Sequence, residues 1–359
     1  SAVISISGRK QLTTNLYLAS SLMREPGVIV GPIAKLLGLI VNVLFNVVYG
    51  FTQANSLGIT IILFTVFVRL LMIPIAYNQQ KSMFVMRKIQ PEIQKIQDKY
   101  KGMLNDPDVQ RRMSMETQRV YRDHNYNMFS GCLPLLIQMP IFFGLYYVMR
   151  HPFAYIDTIN TIYNSLSDGI LGCIQSGNKQ ALELFTTVCT KLRIDEGTEV
   201  TTSMFNYILN AVEPEDVKSF VSYVGSADIS SLYEQKTVIE SFLGLNLTET
   251  PTLALSKNLI LPILSGFTTW LSSWLMSRKN RPTDPAMKSQ QNIMNITMPL
   301  LMAWFTTSVP AGLGVYWITG NIFMIFQQLI LNKHFELKEA RESANGKEGK
   351  KKCKFFAPL

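Results

Sequence analysis

A single arginine, Arg69, lies inside an apolar stretch of about 20 residues, Leu57–Ala76, long enough to span a bilayer. A guanidinium stays charged there, at a cost of roughly 2.5–3.5 kcal/mol on insertion scales. At about 1.5 Å per residue, Arg69 lies about 4 Å past the middle of the stretch and about 10 Å from its end. We therefore expect Arg69 to face a water-filled pocket among helices. The alternative is an arginine that extends to the headgroups and has no role.

The composition excludes an ordinary soluble domain. The chain has 359 residues, of which 47% are hydrophobic and 16% charged, and its mean hydropathy is +0.15. These values predict an all-α polytopic membrane protein. Its net charge of +9 suits loops that face anionic lipid or RNA.

The reactive side chains predict neither an enzyme nor a cofactor site. Only three histidines occur, without a CxxC or HExxH pattern, so we expect no metal. No nucleophile with a partner base is evident within the apolar segments. Among the four cysteines, Cys173 and Cys189 could form a disulfide, whereas Cys132 and Cys353 lie in an apolar segment and a basic tail.

Five segments are apolar and long enough to be transmembrane spans. They are residues 57–76, 128–149, 256–277, 293–309 and 311–331.

Charge predicts the orientation of these spans. Residues 77–127 carry ten basic and six acidic side chains, and the short loop 278–292 and the tail 332–359 are also basic. Segments of this kind stay in the cytoplasm, so we expect residues 150–255, which are rich in acids, to lie outside. Residues 1–26 form an N-terminal extension, and we give no fold role to its first residues, 1 to about 10.

Residues 27–51 are apolar enough for a sixth span. However, Lys35, Gly38, Asn42 and Asn46 recur every three or four residues and form one polar stripe. That pattern favours a helix lying in the outer interface, and a spanning helix is the alternative.

The basic segment 77–127 reads as a helical hairpin. Residues 79–101 have one apolar stripe, residues 102–107 contain the breakers Gly102 and Pro107, and residues 108–124 read as a return helix. Its cations are expected to contact lipid headgroups or a partner: Arg87, Lys88, Lys95, Lys99, Arg111 and Arg112.

Two further segments have weaker signals. The long acidic segment contains helix-like stretches at residues 178–193 and 214–224, which suggests a small accessory domain without an assigned function. The tail at residues 345–354 is expected to be disordered, with lysines that meet ribosomal RNA or anionic lipid: Lys350, Lys351, Lys352 and Lys354. A tail that only fixes orientation is the alternative.

Three blocks carry a family resemblance. They are GCLPLLIQMPIF at 131–142, PEIQKIQDKY at 91–100 and PAGLGVYW at 310–317. With the intramembrane arginine, they resemble the YidC/Oxa/Alb family of membrane protein insertases in its five-span Gram-positive form. The resemblance implies five helices around a hydrophilic groove that is open to cytoplasm and lipid, with a cytoplasmic hairpin and an N-terminal interfacial helix.

The resemblance also implies the site. Arg69 would lie at the floor of the groove, and five residues are candidates for its surroundings: Thr65, Thr60, Gln138, Thr269 and Trp317. Thr269 stands where many members carry glutamine, and Gln138 could instead only bond a neighbouring helix. Candidates for an apolar path along which a substrate helix leaves are Ile137, Met298 and Met302.

The implied activity is that of an insertase and chaperone that releases nascent transmembrane segments sideways into lipid without hydrolysing anything. Its partners would be nascent membrane proteins, the ribosome and anionic lipids, with the Sec translocon left open and no DNA. It would lie in a bacterial plasma membrane with a cytoplasmic C-terminus. No cysteine near residue 1 supports a lipid anchor, and the outer loop is longer than expected. A small-solute channel or transporter that uses Arg69 is the alternative function.

Overall fold

The structure is a computed structural model that describes residues 4–5, 27–28, 30–103, 106–126, 133–194, 198–251, 259–278, 289 and 291–355. The side chains of residues 4–5, 133–135, 339 and 342–355 lie outside this description. Most of the described residues are helical. The helices are α1 (Val30–Phe51), α2 (Ser56–Leu71), α3 (Ile73–Tyr100), α4 (Pro107–Asp123), α5 (Leu133–Arg150), α6 (Asp157–Gln175), α7 (Lys179–Lys191), α8 (Thr202–Ala211), α9 (Pro214–Val224), α10 (Ala227–Glu240), α11 (Ile260–Arg278), α12 (Met298–Thr306) and α13 (Ala311–Phe355).

A 3₁₀ helix at Pro152–Ala154, a π-helical segment at Ile293–Thr297 and two short antiparallel strand pairs complete the secondary structure of the described residues. Strand β1 (Ile4–Ser5) pairs with β2 (Glu199–Val200), and β3 (Ser241–Phe242) pairs with β4 (Leu245–Asn246). The contacts between residues divide the chain into two compact units. Unit 1 comprises residues 1–64, 139–261 and 306–316, and unit 2 comprises residues 65–138, 262–305 and 317–359.

Fewer helices are long and apolar enough to cross a membrane than the five spans that the sequence predicts. Within the described residues, Val30–Phe51 and Ala311–Lys338 are long and apolar enough to cross a membrane, and a third candidate arises when α2 and α3 count as one bent span. The predicted loop 278–292 lies largely outside the described residues, as does the start of the predicted span 128–149. Five spans therefore stay a prediction.

The first predicted span contains a bend. Helix α2 ends at Leu71 and α3 begins at Ile73, with an angle of 56° between them. Pro74 supplies the reason, because its nitrogen carries no hydrogen to donate to the preceding turn and its ring crowds that turn. The residues after the bend continue directly into the first arm of the hairpin, so span and hairpin share one helix.

The polar stripe of α1 contacts protein within unit 1. The side-chain amide of Asn42 donates to Asp157 Oδ2 at 2.8 Å, and its Oδ1 accepts from the Asp157 backbone N–H at 3.1 Å. Asn46 Oδ1 accepts from the Thr158 hydroxyl at 3.0 Å, and Gly38 lies under the Tyr155 ring. Lys35, the first residue of the stripe, is exposed, as are four apolar side chains: Leu36, Leu39, Val43 and Val47. By length and composition α1 is one of the candidate spans, and both positions considered for it, in the interface or across the membrane, stay predictions.

Asn42 acts as a helix cap supplied from another helix. Residue Ile156 precedes α6 and offers no side-chain acceptor, so Asn42 satisfies an N-terminal N–H of α6. We expect Asn42→Ala to lower the free energy of unfolding by about 1 kcal/mol, as other lost caps do. Denaturant unfolding in detergent measures this. Asn46→Ala, which removes a side-chain bond without uncapping a helix, is the control and should cost less; an equal cost would contradict the capping role.

The acidic segment folds as a helical insertion in unit 1. Helices α6 to α10 surround a core that includes Tyr163, Leu166, Phe185, Phe205 and Phe220, all of them fully buried. Helices α7 and α9 match the two stretches expected from the sequence, whereas α6, α8 and α10 were not expected.

The suggested disulfide between Cys173 and Cys189 is wrong, because both are free thiols. Cys173 Sγ lies 3.6 Å from the Tyr223 carbonyl oxygen, to which it donates. Burial in α7 raises the pKa of the Cys189 thiol to about 12. The two sulfur atoms thus lie in different surroundings and do not bond each other.

In unit 2, α3 and α4 pair as an antiparallel hairpin. Lys99 Nζ lies 2.7 Å from Glu116 Oε1, and Glu92 Oε2 lies 3.2 Å from His124 Nε2 nearer the open end of the pair. The hydrogen bond with Glu116 raises the pKa of Lys99 and lowers that of the glutamate. Gly102 ends the first arm at φ +88°, a conformation that glycine adopts readily.

The tail was expected to be disordered, but the structure describes it as helical. Helix α13 continues from the predicted span through Phe355, and only residues 356–359 lie outside the described part. The segment after Asn332 is rich in Glu, Lys, Ala and Arg, which are strong helix formers and can propagate a helix that has already started.

Candidate functional site

The guanidinium of Arg69 lies against the backbone of α13 in unit 2. A Cβ atom built on Gly320 would lie 2.7 Å from Arg69 Nη2, 3.2 Å from its Nε and 3.4 Å from its Cζ. Any larger residue at 320 would therefore push the arginine away. Arg69 is half-buried, so protein covers part of its side chain and leaves the rest accessible.

A hydrogen-bonded node joins α11 to the same part of α13. Trp317 Nε1 donates to Thr269 Oγ1 at 3.0 Å, and that hydroxyl donates to the Ser265 carbonyl at 2.7 Å. The Asn321 side-chain amide lies 2.9 Å from Thr269 Oγ1 and 3.1 Å from Thr268 Oγ1, within hydrogen-bonding distance of both hydroxyls. The sequence placed Thr269 and Trp317 among the groove candidates, and the structure brings these two residues together.

Asn321 is a residue that the sequence reading missed. It is 2% exposed and lies one turn after Trp317 on α13, in a helix that is otherwise largely apolar over this stretch. Trp317, Gly320 and Asn321 are spaced three and four residues apart and so share one helix face. The sequence signal that could have identified Asn321 is an amide side chain inside an apolar segment, because such groups form hydrogen bonds with neighbouring helices.

The other groove candidates lie on α2 and α5. Thr65 is fully buried one turn before Arg69 on α2, as expected from their spacing of four. Thr60 belongs to unit 1, where its hydroxyl donates to the Ser56 carbonyl at 2.7 Å. Gln138 is half-buried in α5. Their placement around Arg69 stays a prediction.

The candidates for an apolar path lie on two helices. Met298 and Met302 are half-buried one turn apart on α12, and Ile137 is half-buried on α5. A five-residue π-helical segment, Ile293–Thr297, precedes α12, which packs closely on α11 at Gly266. Wide helical turns of this kind occur frequently at functional sites. The exposed face of α12 is apolar, with Leu300, Leu301 and Trp304.

A second polar contact joins α3 to α13 further along unit 2. The Gln80 amide donates to Asn332 Oδ1 at 2.6 Å, and both residues are buried. Phe335 is 2% exposed and packs between the rings of Tyr77 and Phe84, at centroid distances of 5.3 and 5.5 Å. The first arm of the hairpin is therefore fixed to the extended last helix.

The predicted cations of the hairpin differ in their contacts. Arg87 and Lys88 both lie over the Phe84 ring, with 5.3 Å from Arg87 Cζ and 4.7 Å from Lys88 Nζ to its centroid. Lys95, Arg111 and Arg112 are exposed. Lys99 forms its ion pair within the hairpin. The tail lysines 350, 351, 352 and 354 lie on helical backbone, and their side chains lie outside the described part.

Comparison with known proteins decides the family. The family model described as "60Kd inner membrane protein" matches residues 47–339. The chain belongs to the YidC/Oxa/Alb family. The match includes Arg69, Thr269, Trp317 and the helical insertion.

Named relatives of this YidC/Oxa/Alb chain come from bacteria and a plant. It is 29% identical to "Membrane protein insertase YidC" of Oceanobacillus iheyensis over 279 residues, which cover 77% of this chain and 74% of that protein. It is 28% identical over 306 residues to the protein of the same name from Enterococcus faecalis, with coverage of 83% and 77%. The chloroplastic ALBINO3-like protein 1 of Arabidopsis thaliana is 29% identical over 279 residues, covering 78% of this chain and 44% of that one.

The node at Thr269 can be tested through stability. Thr269→Val keeps the size of the side chain but removes the acceptor of the Trp317 N–H. We expect the free energy of unfolding to fall by about 1–2 kcal/mol, because the hydroxyl that accepts from the Trp317 indole and donates to the Ser265 carbonyl is lost. Thermal unfolding in detergent measures the change. Thr268→Val, which leaves the Trp317 bond intact, is the control and should cost less; the reverse order would contradict the assignment of Thr269 as the centre of the node.

Proposed function

We propose that this chain is a membrane protein insertase whose working site is a hydrophilic groove around Arg69. The observation that carries the proposal is a cation in an apolar helix that lies against the glycine backbone of a second helix. Family membership supports it, as do relatives named membrane protein insertase. The groove opens to the cytoplasm and to lipid, and it ends before the outer side.

The groove lowers the barrier for a polar substrate segment. An extracellular tail that crosses the bilayer must leave water, and each polar group in hydrocarbon costs several kcal/mol. A water-filled cavity in one leaflet shortens the apolar distance that the tail crosses. The hydroxyl, amide and indole groups of unit 2 keep part of this path polar without a cofactor or bond hydrolysis.

Arg69 attracts acidic residues of the substrate. Two opposite charges 4 Å apart interact by about 4 kcal/mol at an effective dielectric constant of about 20, and by less when water fills the groove. The attraction holds the tail at the floor of the groove while the apolar segment of the substrate still contacts lipid. Because Arg69 cannot lose its proton, the attraction persists at every physiological pH.

The apolar segment of the substrate leaves sideways along α5 and α12. Met298, Met302 and Ile137 provide an adaptable apolar surface, and methionine suits substrates of varied shape. The exposed side chains of α12 continue this surface toward lipid. Lateral release then follows from the hydrophobic effect, since the segment is more stable in lipid than in the polar groove.

The basic hairpin and the tail bind the membrane surface or the ribosome that supplies the substrate. With a cytoplasmic C-terminus, Lys95, Arg111, Arg112 and the tail lysines contact anionic headgroups or ribosomal RNA. The protein acts in a bacterial plasma membrane on nascent membrane proteins, alone or beside the Sec translocon.

An insertion assay with purified protein in liposomes tests the role of Arg69. Two substrates share one transmembrane segment and carry either an acidic or a neutral outer tail. We expect Arg69→Ala to reduce insertion of the acidic substrate about tenfold, which corresponds to about 1.4 kcal/mol, and to affect the neutral substrate less. Arg69→Lys keeps the charge and should restore much of the difference. Equal losses for both tails would contradict the charge attraction.

Gly320 provides a second variant that leaves the arginine in place. Gly320→Ala displaces the guanidinium and should reduce insertion of the acidic substrate by an intermediate amount. Gly172→Ala is the matched control, because a Cβ there meets nothing within 4 Å in a helix of the insertion. Full activity of Gly320→Ala would show that the position of the cation on α13 does not matter.

A further inference from the structure

The helical insertion has no role in the groove as proposed, yet it ends in close contact with the apolar helices of unit 1. Its last part consists of hairpin β3–β4 and the loop that follows, residues 241–249, which we name the clamp segment. All contacts described below lie within unit 1.

The clamp segment packs on the beginning of α2. The Phe242 ring lies directly on Gly58, so that a Cβ at 58 would overlap it. The Leu243 backbone N–H donates to Asn55 Oδ1 at 3.1 Å, and the Asn55 N–H donates to the Val238 carbonyl at 3.4 Å. The first turn of α2 is therefore covered by one ring and held by two hydrogen bonds.

The turn of the hairpin is strained. Leu243 has φ +52° and Gly244 φ +78°, so a leucine occupies the left-handed conformation that glycine or asparagine usually takes in such turns. This costs roughly 1–2 kcal/mol and persists only where the surroundings impose it. The bond from the Leu243 N–H to Asn55 is one such constraint. The side chain of Leu243 itself is 80% exposed and fixes nothing.

The same segment caps the beginning of α13. The Ala311 N–H donates to the Glu249 carbonyl at 2.8 Å, and the Gly312 N–H donates to the Leu247 carbonyl at 2.8 Å. These are N-terminal N–H groups that lack partners inside their own helix. A Cβ at Gly312 would lie 3.1 Å from Ile61 Cδ1 of α2, so α2 and α13 approach closely at this point.

A buried polar cluster anchors the clamp segment to the insertion. Glu240 is 1% exposed, and its carboxylate accepts from Tyr163 Oη and Lys236 Nζ, both at 2.8 Å. The Leu247 N–H donates to the Glu240 carbonyl at 2.9 Å. Such a cluster is rigid when its groups are satisfied, so the carbonyls that cap α13 are held in place.

We propose that the clamp segment ties the first turns of α2 and α13 together and keeps this end of the helices closed to ions. The contacts of the clamp segment are independent of the proposed insertase activity. Only the reason why closure to ions matters rests on that activity. A groove that admits water from one side conducts ions unless its other end stays sealed. A clamp built from one ring and several backbone hydrogen bonds closes the end at which α2 and α13 begin.

Ion leakage tests the clamp without any substrate. Purified protein is reconstituted in vesicles of phosphatidylethanolamine and phosphatidylglycerol that contain K⁺, and K⁺ release is measured. We expect Phe242→Ala to increase the protein-dependent release at least fivefold, because the ring over Gly58 is lost. Leu243→Ala is the matched control in the same hairpin and should remain as tight as the parent.

A milder variant covers the case in which Phe242→Ala does not fold. Asn55→Gly keeps the left-handed backbone at residue 55 and removes only the acceptor of the Leu243 N–H, so it should leak more than Leu243→Ala. If Phe242→Ala folds and releases K⁺ no faster than the parent protein, the proposal is overturned. If Phe242→Ala does not fold, the same result for Asn55→Gly overturns it. Arg69→Ala should not leak, so failure of the clamp and failure of the charge attraction are distinguishable.

Discussion

The free energy of one cation in an apolar helix is the constraint on which the proposed function depends. Arg69 cannot be neutralised, so its cost must be offset by water or by polar groups. The missing side chain of Gly320 lets the guanidinium approach the backbone of α13. Because Trp317 and Asn321 bond α11 from the same face of α13, the position of the cation is set by how α11 and α13 pair.

Polar contacts between helices serve different purposes in the two units. In unit 2, the node at Thr269 and the pair Gln80–Asn332 connect α13 to α11 and to the hairpin arm α3. In unit 1, Asn42 and the Leu247 and Glu249 carbonyls satisfy the first N–H groups of α6 and α13. Apolar packing alone does not fix helix ends or register, whereas hydrogen bonds do so at low cost.

The sequence predicted what local patterns encode. The helices of the hairpin, α7 and α9 follow from apolar periodicity and from breakers such as Gly102, and the family follows from ordered motifs. The sequence did not reveal that the polar stripe of α1 bonds α6, because a periodicity shows that a face is polar and not what covers it. It also missed Asn321 and the clamp segment. Their contacts join residues far apart in the chain, and the capping groups are backbone carbonyls, which carry no sequence signal.

Water access to position 69 is the most direct measurement. Arg69→Cys, in a chain whose four own cysteines are replaced, is treated with a charged thiol reagent that does not cross membranes, in vesicles of both orientations. We expect labelling from the cytoplasmic side only, and much less at the control Leu70→Cys, which is exposed on a neighbouring face of α2. Labelling from the outer side, or from neither side, would contradict a wet cation in a groove closed toward the exterior.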